Sequence, residues 1–233
     1  MALPLRHELK FPITRTQFEV LNRTLGRVLY LDPHAARNGG MYHIRSLYFD
    51  TIFDDSLYDK YSGIMNRDKY RMRIYNLSDR EIHMECKTKI GTLISKRSVR
   101  ISRDLADQLI AGDPTGLETT RSGLLRDVYR EMRLRLLHPV VIVDYERIPY
   151  LHKAEEVRIT FDMRVRTGLN SIDIFNPNIP TVPVLPHDET ILEVKYNQVL
   201  PPYIKDVLSY ACPEAVQNAV SKYTLCRQYE FKE

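Results

Sequence analysis

Lys69, Arg71 and Arg73 fall at every second position of the stretch DKYRMRIYN, residues 68–76, with Tyr75 next in the same series. Side chains alternate across a strand, so an extended chain here turns the three cations to one face and Tyr70, Met72 and Ile74 to the other. Like charges lined up on one wall repel one another unless water or an anion lies between them. The chemistry open to such a wall is anion capture; the alternative is a strand whose outer face is simply wet.

The pattern recurs along the chain. Arg6, Glu8 and Lys10 alternate with His7, Leu9 and Phe11, and Glu81, His83, Glu85, Lys87 and Lys89 alternate with Ile82, Met84, Cys86 and Thr88. Further on, Glu156, Arg158, Thr160, Asp162, Arg164 and Arg166 oppose Val157, Ile159, Phe161, Met163 and Val165, while Glu193 and Lys195 oppose Leu192 and Val194. An antiparallel sheet with helices on one side shows ionic faces of this kind without any function. Eight antiparallel strands closed into a barrel, with helices outside, would instead turn these faces inward. Such an interior needs anions, because unpaired buried charge is costly, and the glutamates are too few to supply them. A polyanionic ligand with a metal ion would complete the balance.

The elements that must position these residues are read from periodicity. Period two marks eight strands at about 6–13, 42–50, 67–76, 80–89, 92–101, 139–147, 156–166 and 190–197. Phe18, Leu21, Leu25, Val28 and Leu29 form a helical stripe opened by a Thr14–Gln17 capping box. Further helices are expected near 103–111, 119–137, 202–211 and 219–229. The prolines of NPNIPTVPVLPHD, residues 176–188, favour an extended connector or lid before the last strand. Strands three to five follow one another at turn-length gaps, which favours a largely antiparallel α+β architecture in a single domain, 1–233.

Composition narrows the function classes. With 43% hydrophobic and 27% charged residues the chain is ordinary for a soluble globular domain, with no long apolar run and no secretory signal at its start, so it reads as cytoplasmic. Three separated cysteines make no C-x-x-C pair, which argues against thiolate metal sites and a disulfide framework. A net charge of +4 permits an anionic partner without requiring one. His7, His43 and His83 lack metal-ligand spacing, and neither a Ser-His-Asp arrangement nor a Gly-rich phosphate loop is visible.

Eight ordered segments carry a resemblance: RHELKF at 6–11, RSLYFDT at 45–51, KYRMRIY at 69–75, MECKTK at 84–89, YER at 145–147, VRITFD at 157–162, ILEVKY at 191–196 and SKY at 221–223. Together they resemble the VTC domain, the polyphosphate polymerase domain of the vacuolar transporter chaperone complex and a triphosphate tunnel metalloenzyme related to CYTH domains. The resemblance implies an eight-stranded antiparallel β-barrel, the triphosphate tunnel, with a basic interior and a divalent cation, Mn or Mg, held by glutamate. The SPX and transmembrane portions of the eukaryotic proteins are not in this sequence, which suggests a free-standing prokaryotic-type member. It has no membrane segment of its own and could have a membrane-protein partner.

Carried onto this chain, the resemblance implies that Arg71 and Arg73 grip phosphate, since forked guanidinium donors suit adjacent phosphate oxygens. It assigns Lys10 and Lys87 to phosphate, and their neighbours Glu8 and Glu85 to metal or to orienting the lysines. Glu193 is the foremost metal candidate and Lys195, beside it, a phosphate contact; such ions bind through one or two carboxylates plus phosphate oxygens and waters. Arg147 and Arg158 match further phosphate contacts, Tyr145 a hydrogen bond to phosphate, and Ser221 and Lys222 a contact at the N-terminus of the last helix. Arg45, Lys96, Arg97 and Arg100 are weaker candidates for which a surface role is as good a reading. Tyr42, Tyr48, Phe49 and Tyr70 read as core, and Asp50 as a residue that could face the tunnel. The implied activity is transfer of the γ-phosphate of a nucleoside triphosphate such as ATP to a growing polyphosphate chain. The rivals are a tripolyphosphatase or nucleoside triphosphatase on the same scaffold and a non-catalytic polyphosphate-binding module. Nucleic acid is not an expected partner, because a narrow tunnel excludes a duplex.

Overall fold

The computed structural model describes residues 5–152, 156–212 and 220–231. Its strands are β1 (His7–Thr14), β2 (Tyr30–Leu31), β3 (Tyr42–Asp50), β4 (Arg67–Tyr75), β5 (Ser78–Ile90), β6 (Leu93–Ile101), β7 (His138–His152), β8 (Val157–Thr167), β9 (Val182–Pro183) and β10 (Glu189–Tyr196). Its helices are α1 (Arg15–Val28), α2 (Pro33–Ala36), α3 (Asp55–Tyr61), α4 (Arg103–Ile110), α5 (Gly123–Arg135), α6 (Pro202–Ala211) and α7 (Lys222–Glu230). Among the described residues no helix is long and apolar enough to cross a membrane.

The eight long strands lie in the order β1-β10-β8-β7-β3-β4-β5-β6, and β2 and β9 are two-residue additions on β7 and β8. Neighbours along that path are antiparallel. The sheet curves until its two outer strands meet at Arg6 and Ile94, which exchange backbone hydrogen bonds of 3.0 and 2.9 Å. No ladder joins β1 to β6 beyond that bridge among the described residues, so the expected barrel is a tunnel-like curved sheet pinned at one point.

Local chemistry explains most boundaries. The Thr14–Gln17 capping box forms in both directions and starts α1 where expected. The β4–β5 hairpin turns through Asn76 and Leu77, both at positive φ, the geometry of a two-residue turn that follows strand twist. The helix expected over 119–137 is the shorter α5, because the Ser122 hydroxyl accepts from Leu125 N–H and Leu136 ends it in the left-handed region. Strand β7 continues to His152, past the expected end at 147. There Pro149, which cannot donate, still offers its carbonyl to Asp32 N–H while β2 pairs with the next residues. The expected start of the last helix at 219 lies outside the described residues; α7 begins at Lys222.

Apolar strand faces pack against helices as the period-two pattern requires. Tyr70, Met72, Ile74, Met84 and Cys86 form one cluster with Ala106, Leu109, Leu125 and Val128 of α4 and α5. Ile159, Phe161, Leu192 and Val194 form another with Leu21 and Leu25 of α1 and Ile204 of α6. Helix α7 departs from the expectation that helices lie outside. Its Tyr223 and Cys226 cluster with Tyr48, Val141, Val143 and Tyr145, on the face that also lines the cavity described below.

Segment 176–188 is a strap rather than a lid: none of its residues lines the cavity described below, Ile179 packs against the outer cluster under α4 and α5, and Val184 and Leu185 pack against the cluster of Tyr48 and Tyr145. Arg45 turns away from the tunnel, grips Asp144 through Nε at 2.9 Å and Nη2 at 2.8 Å, and donates to the Asn176 carbonyl at 2.5 Å. Arg166 holds the Thr181 carbonyl at 3.2 Å, and β9 pairs with β8. Arg45 and Asp144 are both buried, so Arg45→Ala leaves a carboxylate without its main partner and should destabilise the fold by about 3–5 kcal/mol. In urea unfolding, the double variant Arg45→Leu with Asp144→Leu should regain most of that loss.

Candidate active site

All eight long strands send at least one side chain into a single cavity of about 150 Å³. The wall read from DKYRMRIYN is there in full: Lys69, Arg71, Arg73 and Tyr75 of β4 line it, because β4 is paired on both sides and keeps its alternation. Lys10, Lys87, Arg147, Arg158, Lys195 and Lys222 also reach the cavity. Only two carboxylates do so among the described residues, Glu8 and Glu193.

Behind the cations lies a second layer of buried acids. Glu85, 1% exposed, accepts from Arg71 Nε at 2.8 Å and Nη2 at 2.7 Å, from Lys96 at 2.8 Å, and sits 3.7 Å from Arg73. Burial alone would raise its pKa, but Arg71, Arg73 and Lys96 hold it well below the usual carboxylate range. Asp162, fully buried, receives both forks of Arg147 at 2.6 and 2.7 Å and the Lys222 ammonium at 2.5 Å. These acids fix the guanidinium planes. Hydroxyls assist: Tyr48 Oη accepts from Arg71 at 2.9 Å, and Tyr145 Oη accepts from Arg73 at 3.0 Å, which leaves its own O–H free to donate.

The two cavity-facing glutamates are held mainly by lysine ammonium groups rather than by arginine forks. Glu8 meets Lys87 at 2.5 Å, Lys195 at 3.5 Å and Lys10 at 4.0 Å. Glu193 contacts Lys195 and stands 3.9 Å from Lys10, 3.9 Å from Arg147 and 4.0 Å from Lys222. Burial pushes Glu193 up, yet these cations hold it ionised, well below the usual range. Two hard carboxylate oxygen donors facing one space fit a divalent cation that completes its shell with phosphate and water. No group of three or more acidic, His or Cys side chains that could hold a metal occurs among the described residues, so any such ion depends on ligand oxygens.

The expected residues converge with some changes of role. Lys87 pairs with Glu8 across the tunnel instead of with Glu85, two residues away on its own strand. Glu85 does not line the cavity and serves as the arginines' brace. Ser221 caps α7, accepting from Thr224 N–H, and lies 3.3 Å from the Lys69 ammonium. Arg158 reaches Tyr42 Oη at 3.2 Å and Asp32 at 3.3 Å, and its buried Nε has no partner. Of the weaker candidates only Lys96 lines the cavity; Arg97 turns to Asp127 and Arg100 to the Arg80 carbonyl. Asp50 is buried as the acceptor for Tyr223 Oη and does not line the tunnel.

Three groups lacked an assigned role from sequence. Asp162 was legible only as one member of an ionic face; its position behind Arg147 and Lys222 depends on tertiary distances. Tyr42 and Tyr48, read as core, are buried in a core cluster as expected and in addition line the cavity. Lys69 lies 4.6 Å from the centroid of the Tyr223 ring, and its pKa is well below its ordinary value through burial and the repulsion of Arg67, Lys10 and Lys87. Its place in the Lys69-Arg71-Arg73 series was the signal that could have found it.

Arg147 and Lys222 overcome the upward push of burial and bring Asp162 from 3.8 to about 2. A carboxylate depressed in the folded state contributes stability that is complete above its unfolded pKa and is lost as pH falls through the folded one. Urea midpoints should therefore drop between about pH 4 and pH 2. Asp162→Asn should show a lower midpoint at neutral pH and a shallower drop over that interval.

Comparison with solved structures supports the architecture. A candidate adenylate cyclase from Bacillus halodurans superposes with a TM-score of 0.51 at 12% identity, covering 94% of this chain and 97% of that one. At that identity the likeness shows the fold alone. The capping enzyme triphosphatase of Mimivirus matches at a TM-score of 0.40 and 12% identity, covering 90% of this chain and 88% of its own. No protein of curated function matches the chain. The VTC domain family matches residues 5–231, nearly the whole sequence and every strand of the tunnel. The chain is a member of the VTC domain family.

Proposed function

We propose that this VTC domain transfers the γ-phosphate of a nucleoside triphosphate, ATP in the first instance, to the end of a polyphosphate chain held in the tunnel. The observation that carries the reading is the excess of convergent cations over the two carboxylates that share their cavity. The cations that Glu85 and Asp162 do not neutralise favour a polyanion in this space, and a triphosphate or polyphosphate supplies both the charge and the linear shape. Membership of the VTC domain family supports the same substrate class.

The residues divide the work by geometry. Arg71 and Arg73, locked by Glu85, Tyr48 and Tyr145, present fixed forks to the oxygens of the transferring phosphoryl group. Lys10, Lys87 and Lys195 neutralise neighbouring phosphates, and Arg147 and Arg158 hold the flanking ones. Tyr145, Ser221 and Lys222 supply further donors. Glu193 and Glu8 would hold a divalent cation, magnesium or manganese, which when bound neutralises charge that develops on the phosphate oxygens. No strong general base is required: a terminal phosphate, with a second pKa of about 6, is already ionised near neutral pH. The catalytic load is alignment, charge neutralisation and exclusion of water as a competing acceptor.

Lys87 adds a pH signature. Burial, with repulsion from Lys10 and Lys195, outweighs the attraction of Glu8 and brings it down to about 8. A bound polyanion favours its charged form, so binding takes up protons near that pH and weakens as pH rises above it. Calorimetry in buffers of different ionisation enthalpy should show this uptake, and Lys87→Arg should reduce it.

The direct test incubates the protein with ATP and Mn²⁺ or Mg²⁺ and resolves products by phosphorus NMR and gel electrophoresis. Long phosphate chains are expected, and Arg71→Ala or Glu193→Ala should lower turnover by about a hundredfold or more while each variant still unfolds cooperatively. Release of orthophosphate alone would replace this reading with the hydrolase. Tight polyphosphate binding without turnover would replace it with the binding module.

A further inference from the structure

Next to the inner cavity lies a second of about 340 Å³, and the two share Glu8, Lys10, Lys69, Lys87, Ile94 and Ser221. Its remaining walls carry Lys60 from α3, Arg67 from the start of β4 and Lys89 from the end of β5. Glu8, at the junction, is its one carboxylate among the described residues. Lys60, Arg67 and Lys89 are each half-buried, and no ion pair is formed by any of them among the described residues. The Arg67 guanidinium donates to the Ile64 carbonyl, and Asp59, which attracts it, does not line the chamber.

Strand geometry makes the two chambers one track. Along β4 the series Arg73, Arg71, Lys69, Arg67 places a cation at every second residue, about 7 Å apart. Along β5, which pairs with it, Lys87 and Lys89 continue the row, with Lys69 opposite Lys87 and Arg67 opposite Lys89. Burial and mutual repulsion lower the pKa of Lys60, of Lys89 and, well below its ordinary value, of Lys69. A discrete anion would satisfy one or two of these groups; a linear polymer running along the strands would satisfy the row.

Resting on the polyphosphate reading above, the geometry points to the outer chamber as a metal-independent subsite for the extended part of a phosphate chain, held by Lys60, Arg67 and Lys89. The inner cavity, which contains Glu193, holds the reacting end. Chain length is therefore the variable that separates the two chambers. A tripolyphosphate fills the inner one alone, and a long chain fills both.

The experiment compares binding of sodium tripolyphosphate and of long-chain polyphosphate by calorimetry, in EDTA and without nucleotide, so that turnover plays no part. The triple variant K60Q/R67Q/K89Q should bind the long chain about tenfold more weakly, with a shallower salt dependence, and tripolyphosphate within about twofold of wild type. The charge-conserving variant K60R/R67K/K89R should keep long-chain affinity. Unchanged long-chain binding by the glutamine variant overturns the subsite, as does an equal loss for both probes or loss of long-chain affinity in the charge-conserving variant. If the wild type binds neither probe, the proposed function falls and the subsite with it. Failure to polymerise ATP, with the chain-length effect intact, overturns only the polymerase.

Discussion

Everything in this tunnel depends on how like charges are kept close together. Two cations about 7 Å apart repel by about 2 kcal/mol at an effective dielectric of about 20, and β4 alone brings four of them onto one wall. The structure answers with carboxylates placed behind the cations rather than between them. Glu85 takes the inner edges of Arg71 and Arg73, and Asp162 takes those of Arg147 and Lys222. The braced groups keep their remaining donors turned to the cavity. Truncating either acid would therefore remove both charge compensation and orientation, which is why these two residues matter although neither need touch a ligand.

Such an arrangement is a liability for folding, since desolvating charge costs more than pairing recovers. The offset comes from the other face of the same strands, where Met72, Ile74, Met84, Phe161 and Val194 are sealed under helices. The alternation visible in the sequence thus records two tasks on one backbone: odd residues of β4 build the site, and even residues hold it together. One helix breaks that division. By turning α7 onto the cavity-bearing face, the fold brings Ser221, Lys222 and Tyr223 to the site and joins it to β3 through Tyr48 and Asp50.

What could be read from sequence follows from that economy. Strands β4, β5 and β10 were legible because one face is ionic and the other apolar, and their site residues followed from parity; on β8 parity placed Arg158 and Asp162 but broke at a bulge, where Arg164 takes a positive φ and Arg164 and Arg166, expected on the same face, turn to Glu146 and the Thr181 carbonyl. Parity failed where both faces are buried. On β3, Arg45 and Tyr48 give no hint which side is the tunnel, and the structure sends Arg45 outward to Asp144 and Tyr48 inward. The partner of each carboxylate was equally hidden. Spacing suggests that Glu85 belongs with Lys87, whereas closure of the sheet brings Lys87 to Glu8, 79 positions away. Lys60 was beyond reach for another reason: it stands on the seven-residue α3, too short to announce itself by period.

The separation of acids along the track bears on how one scaffold could build or hydrolyse a phosphate chain. If Arg71, Arg73 and Glu193 stabilise the transferring phosphoryl as proposed, they do so for either acceptor, and the choice between chain end and water would lie elsewhere. On the proposed function it would lie in occupancy. A chain anchored at Lys60, Arg67 and Lys89 would thread its end past Lys69 and Lys87 into the inner cavity, displacing the water that would otherwise compete. Weak anchoring leaves that space wet and favours hydrolysis. If both proposals hold, the balance between synthesis and hydrolysis would be set at the carboxylate-poor end of the tunnel, by residues that take no part in the chemical step.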